Sequence, residues 1–184
     1  MRAITVVLML VFAGTAFAQG NAQPTMKYSF AELRYVDVDN SGDGFRLAGS
    51  YNLDQNWLIV GGLTRLNFGN DVDSTLFEIG GGYVWPWLQD WDLVANARLL
   101  RQTVDTPFGD DSDTGIGLAA GTRGLVTPNL EVRGGIQYIG VNDSDVYLEL
   151  AGDYYFTPSF AGGLSVELGG DSDAWTLGAR WYFR

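Results

Sequence analysis

Two sets of charged residues bound the chemistry available to this chain. The first is a set of carboxylates, Glu32, Glu78, Asp92, Glu131, Glu149, Asp153 and Glu167, matched by the arginines Arg34, Arg46, Arg65, Arg98, Arg123, Arg133 and Arg180. Arginine presents a planar fork suited to desolvated carboxylates, and lysine, the usual solvent-facing cation, occurs only as Lys27. Seven acids against seven arginines point to an ion-pair network in an enclosed space, because isolated buried charges cost several kcal/mol each. Glu149 and Asp153 stand four apart on one face and have the residue types for acid–base work, but pairing with arginine is the plainer reading. The chain has no histidine and no cysteine, so a Ser-His-Asp arrangement, a histidine base and thiol chemistry are all excluded. No catalytic or cofactor-binding residue is assigned, and the chain is not expected to be an enzyme.

The second set is acidic and punctuates the chain: Asp37, Asp39 and Asp43; Asp71 and Asp73; Asp110, Asp111 and Asp113; Asp143 and Asp145; Asp171 and Asp173. Asp37-Val38-Asp39-Asn40-Ser41-Gly42 opens like a calcium loop, with oxygen ligands at alternate positions and glycine sixth. The twelfth position is Ala48 rather than glutamate, so an EF-hand is rejected. These carboxylates either form solvated loops or ring one rim, where Ca²⁺ or Mg²⁺ would bridge them to one another or to lipopolysaccharide phosphates.

The elements that position these residues follow from periodicity. After Gln19 to Thr25, the sequence breaks into segments of roughly ten residues, the length of a tilted membrane-crossing strand. Strands are expected near 27–37, 44–53, 57–68, 74–85, 91–103, 114–126, 130–140, 145–156, 160–169 and 174–184. Tight connections, Asp54-Gln55-Asn56, Pro86 to Asp90, Thr127-Pro128-Asn129 and Thr157-Pro158-Ser159, interleave with the acidic ones. Side chains on a strand point to opposite faces in turn. The last segment puts Trp175, Leu177, Ala179, Trp181 and Phe183 on one face and Thr176, Gly178, Arg180 and Tyr182 on the other. Elsewhere the apolar face carries Tyr35, Phe45, Tyr51, Phe68, Tyr83, Trp85, Trp91, Tyr138, Tyr154, Phe156 and Phe160 near strand ends, as interfacial girdles require. Gly80, Gly82, Gly115, Gly117, Ala119 and Gly121 fall on the inward face, where small residues leave room. Arg101 is the exception that faces outward, near a strand end.

The fold expected is therefore all-β: a closed antiparallel transmembrane β-barrel of ten strands, with eight as the alternative. Its near-zero mean hydropathy of +0.01 reflects alternation averaging out. With 25 glycines and 5 prolines among 184 residues, the chain suits short turns and one domain. A formal net charge of −11 excludes nucleic acid, which needs a basic footprint. Met1-Arg2, the apolar run Ala3 to Ala13 and Ala16-Phe17-Ala18 form the pattern of a signal peptide over 1–18, leaving a barrel domain over 19–184.

These residues also carry a resemblance. The signal-peptide pattern, the turns Val126-Thr127-Pro128-Asn129-Leu130 and Phe156-Thr157-Pro158-Ser159-Phe160, the Gly-Gly pairs Gly134-Gly135 and Gly162-Gly163, and the ending Trp181-Tyr182-Phe183 resemble the small outer-membrane β-barrels of the opacity-type and OmpA/OmpX-like kind. The resemblance implies residence in the bacterial outer membrane as a monomer, contact with lipid and lipopolysaccharide, and assembly by the barrel insertion machinery. Family barrels usually end on an aromatic residue, whereas here Arg184 follows Phe183. The function expected is that of a structural or surface-interaction barrel with a salt-bridged lumen and short acidic outer loops. The alternatives are a narrow cation-preferring channel and a secreted soluble barrel that binds a small ligand.

Overall fold

A computed structural model describes residues 26–39, 41–69, 71–170 and 172–183. Ten strands follow in order: β1 (Phe30–Val38), β2 (Gly42–Asn52), β3 (Trp57–Asn67), β4 (Asp73–Leu88), β5 (Trp91–Thr106), β6 (Gly109–Thr127), β7 (Leu130–Val141), β8 (Asp143–Thr157), β9 (Phe160–Gly169) and β10 (Ala174–Tyr182). Each pairs antiparallel with its sequence neighbours, and β1 pairs with β10, so the sheet closes into a ten-stranded barrel without edges. The signal-peptide segment 1–18 lies outside the described residues.

The tight turns cluster at one end, and their chemistry is local. Asp54 accepts hydrogen bonds from the backbone N–H groups of Asn56 and Trp57, each 2.8 Å, which tightens the β2–β3 turn. Thr127 and Thr157 do the same more weakly, their hydroxyls accepting from Asn129 N and Ser159 N at 3.3 Å. Both of these turns follow a register shift, between Leu125 and Thr127 and between Tyr155 and Thr157. A third shift, between Pro86 and Leu88, lets β4 carry a proline that cannot donate to the ladder.

At the acidic end the strands run longer than the sequence suggests. Residues 105–113, expected as a loop, are mostly a β-ribbon: β5 and β6 stay paired out to Thr106 and Gly109, leaving a turn of Pro107 and Phe108. Gly109, at φ 138°, supplies the backbone freedom that turn requires. The β7–β8 connection shrinks likewise to Asn142, in the left-handed region at φ 59°, which asparagine tolerates better than most residues.

The two faces are inverted relative to a water-soluble protein. Arg180, Asp153 and Glu131 are 1%, 1% and 0% exposed, while Leu99, Leu177 and Trp181 are 67%, 57% and 59% exposed. Burying arginine and baring leucine is stable only where hydrocarbon, not water, lies outside. Aromatic rings band the outer face near both ends. Trp57, Tyr83 and Trp85 pack in series, and so do Tyr154, Phe156, Phe160 and Trp181, all at the tight-turn end. Tyr35 touches Phe45 and Trp175 at the other end, with ring centroids 5.7 Å apart in both pairs.

Candidate functional site in the barrel lumen

Strand pairing sets like charges side by side in the lumen. Glu131 lies opposite Asp153, Arg123 opposite Arg133, Arg34 opposite Arg46, and Glu149 opposite Glu167. Like charges directly across a ladder repel, so each finds its partner off the direct rung: diagonally on the next strand, as Arg123 with Glu131 and Arg133 with Asp153, or farther across the lumen, as Arg34 with Asp153 and Arg46 with Glu167. Two acids meet an arginine as direct ladder partner, Glu32 opposite Arg180 and Asp92 opposite Arg123.

The result is two layers. Nearer the tight turns, Glu131 takes Arg123 Nη2 at 2.7 Å and the Tyr155 hydroxyl at 2.6 Å on Oε2, and Arg180 Nη1 at 3.4 Å on Oε1. Arg180 also grips Glu32 Oε2 through Nη2 at 2.7 Å and Nε at 2.9 Å, and its guanidinium stacks on Phe30, 4.1 Å from the ring centroid. Arg34 joins Glu32 at 3.1 Å to Asp153 at 2.8 Å, and Arg133 reaches Asp153 at 3.1 Å and Glu149 at 3.7 Å. Toward the acidic end, a chain crosses the lumen. Arg46 Nη1 bonds Glu167 at 2.8 Å, Gln137 donates to Glu167 at 3.3 Å, Arg98 donates to Gln137 at 3.2 Å, and Arg98 pairs with Glu78 at 2.7 Å. Arg46 Nε donates to the Thr64 hydroxyl, 3.2 Å away, tying in β3 as well.

Two members of the expected set stand apart. Asp92 faces the lumen but makes no ion pair among the described residues; it accepts a 2.7 Å hydrogen bond from the Tyr28 hydroxyl, whose ring lies under the Arg123 guanidinium at 4.5 Å. Arg65 faces outward, with 68% of its side chain exposed, and pairs with Asp73 at 3.1 Å. Its register partner Phe45 is outward-facing and fixes its side. The network also contains residues that charge counting passes over: Gln137, Thr64, Tyr155, Tyr182 and Tyr28. A buried glutamine or tyrosine on a polar face was the available signal.

The lumen narrows at the tight-turn end. Tyr28, Leu58 and Val84 form a buried cluster with Met26, Val60 and Val94 against it, while Tyr155, Ala161 and Tyr182 form another with Phe30 and Leu125. The segment entering β1 is therefore part of the seal. Alongside the network lies a cavity of about 190 Å³, lined by Tyr28, Ser50, Val60, Asn96, Ala119 and Gly121 among others. Ser50 Oγ and Asn96 Oδ1 are buried there without a protein partner, and the chamber is roomy enough to hold water against them. The small residues of β6 thus leave space on one wall.

At the acidic end, among the described residues, no three carboxylates gather closely enough to hold an ion. Asp37 and Asp43 face each other across β1 and β2, and Asp39 lies in the turn between them. Asp73 is taken by Arg65 and Asn67, Asp113 by the N–H groups of Thr114 and Asn142, Asp145 by Tyr147 and Asp173 by Gly169. Asp71, Asp110, Asp111 and Asp143 are exposed on the rim, and Asp171 lies outside the described residues. Local hydrogen bonds thus engage Asp73, Asp113, Asp145 and Asp173 individually.

No protein-family model matches the chain, and no curated protein matches it in sequence. Solved structures do. The KdgM porin superimposes with a TM-score of 0.54 at 10% identity, over 84% of this chain and 99% of that one. The KdgM porin in complex with disordered oligogalacturonate gives a TM-score of 0.54 at 12% identity, over the same shares. Ail, the attachment invasion locus protein of Yersinia pestis, gives 0.43 at 17% identity, over 86% of this chain and 100% of that one. With its inverted faces, aromatic bands and closed ten-strand ladder, the chain has the fold of the small outer-membrane β-barrels.

Proposed function

We propose that this protein is an integral outer-membrane β-barrel with a sealed lumen, acting as a structural or surface-interaction protein and not as an enzyme. The observation that carries this reading is the double barrier across the lumen: the Glu131–Arg180–Glu32 layer and the apolar plug of Tyr28, Leu58 and Val84. A solvated ion would have to displace both. In this orientation the tight turns face the periplasm and the acidic end faces outward, the arrangement usual for short turns in such barrels. Outer-leaflet lipopolysaccharide would surround the acidic end, insertion would depend on the barrel assembly machinery, and the closed ladder leaves no strand edge for oligomerisation, which favours a monomer.

The same plug weighs against a narrow cation channel. The exposed leucines and tryptophans weigh against a soluble ligand-binding barrel. The oligogalacturonate named for one KdgM structure is a polyanion, and an acidic rim would repel it.

Two measurements test the proposal. Membrane fractionation with heat-modifiable gel migration should place the protein in the outer membrane as a folded barrel. Planar-bilayer recording of the purified protein should show no stepwise conductance; steady ohmic steps with cation preference would replace the sealed barrel by the channel.

A further inference from the structure

Six of the eight arginines among the described residues face the lumen; Arg65 and Arg101 alone face outward. They are not scattered. Both lie toward the acidic end, on β3 and β5, flanking the single strand β4. Arg65 sits opposite Thr75, which sits opposite Thr103; one pleat deeper, Arg101 sits between Phe77 and Thr114. Arg65 has Asp73 as its partner, whereas Arg101 is exposed and makes no hydrogen bond or ion pair with a described residue. An unpaired cation on the lipid-facing side of a chain with net charge −11 is an oddity.

Immediately below Arg101 the surface is concave. The row Ile79–Leu99–Ile116 is followed by Gly81–Ala97–Leu118, and the missing bulk at Ala97 leaves an apolar groove of about 400 Å³ between Ile79, Leu99, Ile116 and Leu118. The order from rim to mid-wall is thus cation and hydroxyl, then groove. That is the order of groups along an anionic lipid: phosphate first, acyl chain beneath.

We infer that this flank is a binding site for one phosphorylated acyl lipid of the outer leaflet, its phosphate on Arg101 with Thr114 and Arg65 beside it and an acyl chain in the groove over Ala97. A charge-assisted bond from guanidinium to phosphate supplies specificity against zwitterionic lipid, and the groove supplies depth and register. The inference rests on the membrane-barrel reading, and it commits to lipid as the occupant.

Native mass spectrometry of the refolded barrel, released from micelles doped with either lipid A or phosphatidylcholine, tests it. The parent protein should retain one lipid A and no comparable phosphatidylcholine. Arg101→Gln should lower retained lipid A at least tenfold, Ala97→Leu should do so by filling the groove, and Leu33→Ala on the distant β1 wall should change nothing. Equal retention by Arg101→Gln, or equal retention of the two lipids by the parent, overturns the site. Heat-modifiable migration is scored on the same samples. A barrel that migrates as folded but shows no lipid preference fails the site alone, whereas a chain that never gives the folded band fails the membrane reading and the site with it.

Discussion

Glu131 shows how one side chain holds several strands. It is fully buried and receives Arg123 from β6, Arg180 from β10 and the Tyr155 hydroxyl from β8. Removing it takes from the buried Arg123 its one ion-pair partner among the described residues, while Arg180 keeps Glu32, so Glu131→Ala should destabilise the barrel by about 3–5 kcal/mol. Arg65→Ala, which breaks only an exposed pair, should cost about 0–1 kcal/mol. Urea unfolding in lipid vesicles, followed by tryptophan fluorescence, separates the two; equal losses would mean the lumen network does not bear load. The contrast also marks what was legible. The alternation around Arg34, Arg46, Arg133 and Arg180 is clean, so their side follows from sequence. Arg65 follows Trp57-Leu58-Ile59-Val60, apolar on both faces, and no alternation there says which way the strand points. Its side comes from the register with Phe45, a relation between strands that no single segment contains.

At the scale of the element, turns were easier to read than strand ends. Thr127-Pro128-Asn129 and Thr157-Pro158-Ser159 announce themselves, because each begins with a hydroxyl that caps the turn and holds a proline that cannot pair. Residues 105–113 misled because aspartate is a poor strand former, a preference that measures packing against neighbours more than backbone. Beyond the membrane those carboxylates point into water and the ladder from Gln102 to Thr106 continues unopposed. The β2–β3 turn gives a pH-dependent test. Hydrogen bonds from Trp57 and Asn56 hold the Asp54 carboxyl below its ordinary range. A carboxyl whose folded value is lowered contributes stability above its unfolded value and loses it as pH falls through the lowered one. The stability gap between the parent and Asp54→Ala should therefore be widest near neutrality and close on acidification below the carboxylate range. A gap constant from pH 7 to pH 3, measured by urea unfolding, would assign the effect to turn geometry instead of charge.

The whole molecule is polarised along its axis, and the six tryptophans record it. Trp57, Trp85, Trp87, Trp91 and Trp181 band the tight-turn end, and Trp175 stands alone near the acidic rim. On β5 the apolar outward run from Trp91 to Leu99 spans roughly 20–25 Å after strand tilt, about the height of the apolar band on outer-membrane barrels. Arg101 begins the polar zone directly above it, and the Asp73–Asp105 and Asp105–Asp110 pairs follow. An indole prefers the headgroup level, where its ring is dry and its N–H is wet. In a protein keeping only Trp175, a bilayer-impermeant aqueous quencher added to sealed vesicles should therefore reach the indole from one side only. In one keeping only Trp85, it should reach the indole from the opposite side. Lipids brominated along the acyl chain should quench both more weakly at the bilayer centre than near the headgroups. Deepest quenching of either indole at the centre would shift the barrel along its axis and take Arg101 out of the headgroup layer. Equal access of both indoles from one side would mean that the barrel does not cross the bilayer at all.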